Sequence, residues 1–388
     1  MTDAHLTFYD TSRAYYASYY LQGFHELEKS GKLQIKTAHS LPARLMPAIQ
    51  DADWQHLLFA MVLFKFQQGD HEWYFCIDTH DVNSVNATNH TGGYHLPLLQ
   101  SVDVYFKVNY NPDQIEYTPA LKDFREKILS VSQFFPIRPE SFLSLSRRLL
   151  LTPTLFGFKP GINYNVPYKN YLTDAKFRLR DLKNFQPLEQ ILAHRATPKD
   201  IDVFFVTSFR HNSRHVAVME RRYQVIKKLF NAVSLNTATG FSCEKPLPEK
   251  YAKVFYPRLS QESYLETLAR AKVVIYTQGI AGCLSSKFGL AMALGVAVIG
   301  EPLENNPELL VANPHLQEQF SYSDPDDIVE RAIHLATNSK KARELGHLNA
   351  TMFDTQMAPR PTAEYVIQAL QKFQFSDPQS SAREIQSS

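Results

Sequence analysis

Between residues 201 and 300 the chain repeats one unit: a short run of β-branched and aromatic residues, a polar or glycine-bearing loop, and an amphipathic helical pattern. Residues 201–206, 273–276 and 296–299 read as buried strands. Residues 216–230, 261–269 and 285–294 read as helices, the second capped by Ser260 and the third stopped by Gly295. Val218, Tyr223, Ile226 and Phe230 share one face of the first of these helices. Strands alternating with helices of this length specify a mostly parallel sheet covered by helices. The N-terminal half carries a looser version of the same alternation, with strands expected at 6–9, 33–37, 57–66, 73–77 and 102–109. A helix is expected at 12–30, with Tyr16, Tyr19, Tyr20, Phe24 and Leu27 on one stripe, and another at 121–131.

At 388 residues, and about 150 residues per domain, two such units make a bilobed α/β protein. The segment 136–198 is rich in Pro, Asn, Tyr and basic residues and marks the region between the lobes. The expected division is an N-terminal domain at 1–150, an irregular interdomain segment at 151–198 and a C-terminal domain at 199–340. C-terminal helices at 341–374 and a disordered polar tail at 375–388 follow. Asp324, with Pro325 at the first helical position and Asp327 in the first turn, opens a helix over 326–337, and Pro359 and Pro361 interrupt the helices beyond it. No repeat of fixed period is present, which argues against a solenoid or propeller.

Composition removes several function classes. Lys plus Arg is 41 against 39 Asp plus Glu, so no global field draws the protein to nucleic acid or an anionic membrane, and any basic site is local. Cys76, Cys243 and Cys283 are odd in number and far apart, which fits a reducing compartment and neither a disulfide framework nor a zinc cage. Residues 1–5 lack the basic segment and apolar run of a signal peptide, and the longest apolar runs, 57–64 and 288–300, are shorter than the ~20 residues that cross a bilayer. A soluble cytoplasmic protein is expected.

Three clusters could carry chemistry. In the first, the buried run 273–276 enters a loop holding Gly279 and Gly282, and Ser285, Ser286 and Lys287 begin a helix. Glycines allow close backbone approach, helix-start amides lack acceptors, and a first-turn lysine adds charge, which together suit a phosphate. The rival reading is a tight turn with a solvated lysine, and no Walker or G-x-G-x-x-G pattern is present. In the second, Arg210, His211, Arg214 and His215 follow the strand at 202–206 and could meet the same anion, while Arg221 and Arg222, two turns into the helix, read as solvated. In the third, Asp78, His80 and Asp81 stand at the end of an N-terminal strand, where a carboxylate or imidazole could act as a general base. Metal ligation and simple turn capping are the alternatives there, and the spacing matches no strong metal motif.

The segment 273–301, with Gly279-Ile-Ala-Gly-Cys-Leu-Ser-Ser-Lys287 and Gly295-Val-Ala-Val-Ile-Gly-Glu301, resembles the donor-site segment of GT-B glycosyltransferases of bacterial polysaccharide assembly. The likeness extends to 202–206 with the Arg-rich helix after it, to 16–24, and to Ile77-Asp78 with the later stretch 103–111, so it touches both halves. It implies two Rossmann-like βαβ domains facing across a cleft (GT-B), with C-terminal helices crossing back to the N-terminal domain. A nucleotide-sugar donor would sit on the C-terminal domain and a glycan or lipid-linked acceptor on the N-terminal one, with no further cofactor and no metal. By position, Lys287 and Arg210 would neutralise the diphosphate, Gly279 and Ser285 would let the backbone approach it, and His211, Arg214, Ser286 and Glu301 would join them in binding the donor. Asp78, with Asp81 and His80 behind it, would be the base in an inverting transfer. Many relatives carry Glu three residues after the lysine, contacting the ribose; this chain has Leu290, so that contact comes from elsewhere, such as Glu301 or Glu304, or the donor differs, or activity is lost. A silent scaffold and a sugar-nucleotide epimerase or hydrolase are the competing readings. A lipid-linked acceptor would bring the protein to the inner membrane face, where the basic run 178–183 would serve, although such runs are ordinarily solvated.

Overall fold

The computed structural model describes residues 3–38, 41–81, 91, 93–139, 171–212, 215–279 and 282–374. Among the described residues, ten strands form two sheets. The first contains β1 (Ala4–Tyr9), β2 (Gln34–Ala38), β3 (Met61–Gln68), β4 (His71–Asp78), β5 (Val104–Lys107) and β6 (Ile128–Ser130), in the order β2-β1-β3-β4-β5-β6. The second contains β7 (Ile201–Ser208), β8 (Thr237–Ser242), β9 (Ala271–Tyr276) and β10 (Ala297–Gly300), in the order β10-β9-β7-β8, and every pairing in it is parallel.

The first sheet departs from the expected parallel pattern at one place. β3 runs antiparallel to both β1 and β4. Gly69, at φ 58°, makes the tight turn of the β3–β4 hairpin, a conformation open to glycine at little steric cost. The strand expected over 57–66 starts only at Met61, because Leu58–Ala60 forms a 3-10 turn whose Phe59 carbonyl accepts from the Arg13 amide. The helix expected over 121–131 is replaced by a 3-10 segment, Pro119–Lys127, and the edge strand β6. The β-branched Ile128 there pairs with Tyr105 of β5, and pairing with the sheet outweighs the local helical pattern. Of the segment expected to be irregular, the described part holds helices at Tyr171–Asn184 and Leu188–Ala193, the latter entered from Pro187.

The helix Ala14–Lys29 buries Tyr19, Tyr20, Phe24 and Leu27 in the core, Phe24 against Phe64 of β3 and Phe75 of β4, Tyr19 and Tyr20 against Phe135 and Phe134. At the far end of the chain, Ser339–Met352 runs through a π-helical segment, Phe353–Met357, into the terminal helix Pro359–Gln374, with Pro359 and Pro361 confined to its first turn. That terminal helix lies on Ala14–Lys29. The Tyr19 hydroxyl donates to the Met357 carbonyl at 2.6 Å, and a Cβ at Gly23 would stand 2.0 Å from the Pro359 carbonyl oxygen. The chain therefore folds as two Rossmann-like α/β units with C-terminal helices crossing back onto the first, and one apolar cluster runs from β1 through β9 to the terminal helix.

Candidate functional site

The carboxyl ends of both sheets open on one cleft of about 1050 Å³, where ligands of open α/β sheets bind. Thr79, Asp81, Asn109 and Gln133, which follow β4, β5 and β6, form one wall. Thr207 to His211 at the end of β7 and beyond it, Ser242 to Lys245 from the end of β8, and Thr277 and Gly279 after β9 form the other, together with the start of the helix Ser286–Ala293. Tyr15 and Tyr16 stand at the junction. Tyr15 stands close to Ser286 across the cleft, and burial raises its pKa; burial pushes that of Tyr16 to about 12.

The second-domain wall is cationic. Ser285, extended at φ −85° and ψ 155°, begins the helix without a side-chain cap, which leaves first-turn amides available to an anion. Lys287, half-buried, donates from Nζ to the Val206 carbonyl at 2.8 Å and lies over the Phe205 ring at 5.3 Å. Burial, then the nearby Arg222, lower its pKa to about 7. Arg222 reaches back from its helix to Thr277 Oγ1 at 3.2 Å and the Gln278 carbonyl at 3.3 Å, and burial lowers its pKa too. Arg210 and His211 are exposed on the loop after β7, and His215 and Met219 complete this edge. Arg210, Arg222 and Lys287 thus gather charge around one helix start, a site that attracts an anion.

Several expected residues hold the wall rather than face the cleft. Glu301 is buried: Oε1 accepts from Arg221 at 3.0 Å and Oε2 from the Gln278 amide at 2.5 Å, so it pins the loop after β9. Gly279 is required by a close loop, since a Cβ there would sit 2.2 Å from Cys283 Sγ. Glu304 is exposed beside Gly282 and does not line the cleft. Leu290 does line it, giving an apolar surface with Tyr264 and Leu265. Arg214 lies outside the described residues.

On the first-domain wall the expected base moves. Asp78 is fully buried. Its Oδ2 accepts from Tyr105 Oη at 2.5 Å and Lys107 Nζ at 2.8 Å, and its Oδ1 from the His80 amide at 2.8 Å. His80 turns away from the cleft to bond the Leu57 carbonyl at 2.6 Å, and burial lowers its pKa. Asp81 alone of the three lines the cleft, close enough to Tyr15 and Tyr16 to act on their ionisation. The structure therefore brings together Asp81, Arg210, His211, Gly279, Ser285, Ser286 and Lys287, and leaves Asp78, His80 and Glu301 behind the walls.

Arg222 reads as solvated from its place in the sequence, although a signal for it exists there. His215, Val218, Met219 and Arg222 recur at i, i+3, i+4 and i+7, one helical face, and all four line the cleft. Asn109 and Gln133 carry no such signal, because their placement depends on which strands pair.

Among the described residues, no group of three or more His, Cys, Asp or Glu is placed to hold a metal ion, and no helix is long and apolar enough to cross a membrane.

Comparison with known proteins gives likeness in chain path only. No family model matches the sequence, and no curated protein matches it. The solved structures to which it is similar include glycosyltransferases, the class its sequence segments resemble. One is a point mutant of TarM from Staphylococcus aureus in complex with fondaparinux, α-GlcNAc-glycerol and UDP, at a TM-score of 0.42 and 12% identity, covering 76% of this chain and 50% of that one. Another is the DNA-modifying β-glucosyltransferase, at 0.41 and 11%, covering 94% and 98%. A third is the UDP-GlcNAc 2-epimerase of Neisseria meningitidis, at 0.38 and 12%, covering 92% and 96%. The chain spans about half the length of TarM.

Proposed function

We propose that this protein is a glycosyltransferase that takes a sugar from a nucleotide-sugar donor to a hydroxyl of a glycan or glycolipid acceptor, of the kind used in bacterial surface polysaccharide synthesis. The observation that carries the reading is the convergence of Arg210, Arg222 and Lys287 on the uncapped helix start at Ser285, in a cleft whose opposite wall presents Asp81. Cations and backbone amides aimed at a leaving diphosphate stabilise the charge that grows as the glycosidic bond breaks, without a metal. In an inverting transfer Asp81 accepts the acceptor proton as the new bond forms. Tyr15, close to Ser286, stands where the two walls meet.

The test is thermal stability in the presence of UDP, GDP, CMP, dTDP and ADP, with and without magnesium. A nucleotide at 100 times its dissociation constant stabilises the fold by about 2.7 kcal/mol. One nucleotide is expected to respond without magnesium, and Lys287→Ala to abolish that response and reduce transfer about 100-fold or more. Silence from every nucleotide would instead favour a scaffold, and a responder whose sugar is altered or released with no acceptor present would favour an epimerase or hydrolase.

A further inference from the structure

The turn that presents Asp81 is held at Thr79 and on both sides of His80. The Thr79 amide and hydroxyl both donate to the Ala60 carbonyl, at 3.1 and 2.7 Å. The peptide groups on both sides of His80 are gripped: the His80 amide donates to Asp78 Oδ1 at 2.8 Å, and the His80 carbonyl accepts from Lys107 Nζ at 2.9 Å and Asn109 Nδ2 at 3.4 Å. Asp78 and Lys107 are themselves joined at 2.8 Å with neither side chain exposed, so this pair has no access to a ligand. A buried ion pair contributes little net stability compared with apolar packing, but it fixes geometry when its remaining donors and acceptors are satisfied. Here Asp78 Oδ1 and Lys107 Nζ spend those remaining groups on the backbone of His80, and Tyr105 Oη takes a further place on Asp78 Oδ2.

Asn109 has a second hand. Its Oδ1 accepts from the Leu284 amide at 2.7 Å, and Leu284 belongs to the loop that leads into the helix start at Ser285. Asn109 is 1% exposed and sits on the floor of the cleft, so one side chain ties the carboxylate-bearing turn of the first domain to the anion-binding loop of the second. Neighbouring bonds keep it there, since the Asn306 amide donates to the Tyr110 carbonyl at 2.6 Å and Asn306 Nδ2 to the Val108 carbonyl at 2.5 Å.

We propose that Asp78, Lys107 and Asn109 are positioning residues, which set Asp81 through the His80 backbone and lock its distance from the Leu284–Ser285 loop through Asn109. The kinetic part of this inference rests on the glycosyltransferase reading; the mechanical part does not.

Hydrogen–deuterium exchange resolved to single amides tests the mechanical part without any substrate. In Asn109→Leu, the Leu284 amide loses its acceptor and is expected to exchange at least tenfold faster. The His80 amide keeps its own acceptor, Asp78, yet is also expected to speed up at least threefold, because the carbonyl of the same residue is left with Lys107 alone of its two donors and the turn opens more readily. Acceleration confined to Leu284 overturns the coupling. Asn109→Asp keeps an acceptor for Leu284 and removes one of the two donors to the His80 carbonyl, so it should speed exchange at His80 alone, and it serves in place of Asn109→Leu should that variant fail to fold.

If a donor is turned over, a double-mutant cycle tests the kinetic part. Asn109→Leu is expected to lower turnover by 10-fold to 100-fold in the natural protein and by less than 2-fold in an Asp81→Asn background, with nucleotide affinity changed by less than 3-fold. An equal fall in both backgrounds would mark Asn109 as merely structural. Failure of every nucleotide to bind the natural protein would sink the glycosyltransferase reading and leave the exchange result to decide the positioning one.

Discussion

His95 is fully buried, with Nδ1 accepting from the Leu98 amide at 3.3 Å and Nε2 bonded to the Trp54 carbonyl at 3.2 Å, and burial pulls its pKa down to about 3. The unfolded chain takes up the imidazole proton near 6.5 and the folded chain only near 3, so between these values unfolding binds a proton. Stability from this residue is complete above pH 6.5 and falls as pH drops, by at most about 1.4 kcal/mol per pH unit. His95→Gln should flatten the acid limb by that amount in urea denaturation between pH 4 and 6, and an unchanged slope would assign the acid sensitivity elsewhere. Lys287 works over a different range. With its pKa near 7 in the fold against 10.5 unfolded, its protonated form opposes folding fully below pH 7, and that opposition fades as pH rises to 10.5. Lys287→Met is therefore expected to stabilise the ligand-free protein by about 1 kcal/mol at pH 6, with the gain vanishing near pH 10, while abolishing the nucleotide response. A lysine that penalises the empty fold but holds the anion is doing a binding task at the expense of stability, and a Lys287→Met variant no more stable than its parent would count against that role.

At the scale of elements, the terminal helix reaches the first domain only because position 23 has no side chain. A methyl group at Gly23 would meet the Pro359 carbonyl carbon at 2.5 Å as well as its oxygen, and both belong to backbone held by the Tyr19–Met357 bond. Gly23→Ala should destabilise the protein by about 2–3 kcal/mol, read from the denaturant midpoint, although alanine is the better helix former in isolation. A midpoint shifted upward would show the two helices to be separable. The second domain is largely legible in sequence, because its βα units are local: Ser260 does accept from the Ser263 amide, Gly295 does turn with φ 61°, and Asp324 does cap its helix. What escapes a sequence reading is long-range. The antiparallel β3 depends on a hairpin whose Gly69–Asp70 turn is readable but gives no sign of where the hairpin inserts, and β6 exists only because β5 offers it an edge. The same distinction runs through the site. Lys287, Arg210 and Ser285 follow local strand-to-helix logic and are visible in sequence, whereas the burial of Asp78 requires knowing that Tyr105 and Lys107 lie alongside it on β5.

At the scale of the whole molecule, two α/β lobes joined by a small polar interface would be expected to move and unfold independently. This chain is built otherwise. Phe135, which follows the first sheet, stacks on Phe353 of the C-terminal helices at 5.9 Å, and a Cβ at Gly289 of the second domain would lie 3.3 Å from Phe135. Phe8, Phe24, Tyr276, Phe288 and Val366 all belong to one buried cluster, and the contacts from Val108 to Asn111 bind the lobes again beyond it. When domains share a core, neither can lose its packing without exposing apolar surface of the other, so the free energy of opening either lobe approaches that of opening both. Scanning calorimetry should then show one transition whose calorimetric and van't Hoff enthalpies agree, moved as a whole by any nucleotide that binds. Two resolved peaks, only one of them moved by ligand, would show that the lobes unfold separately despite this shared cluster. The cleft's width would then be a variable of the free protein rather than a distance set by Asn109 and the crossing helix.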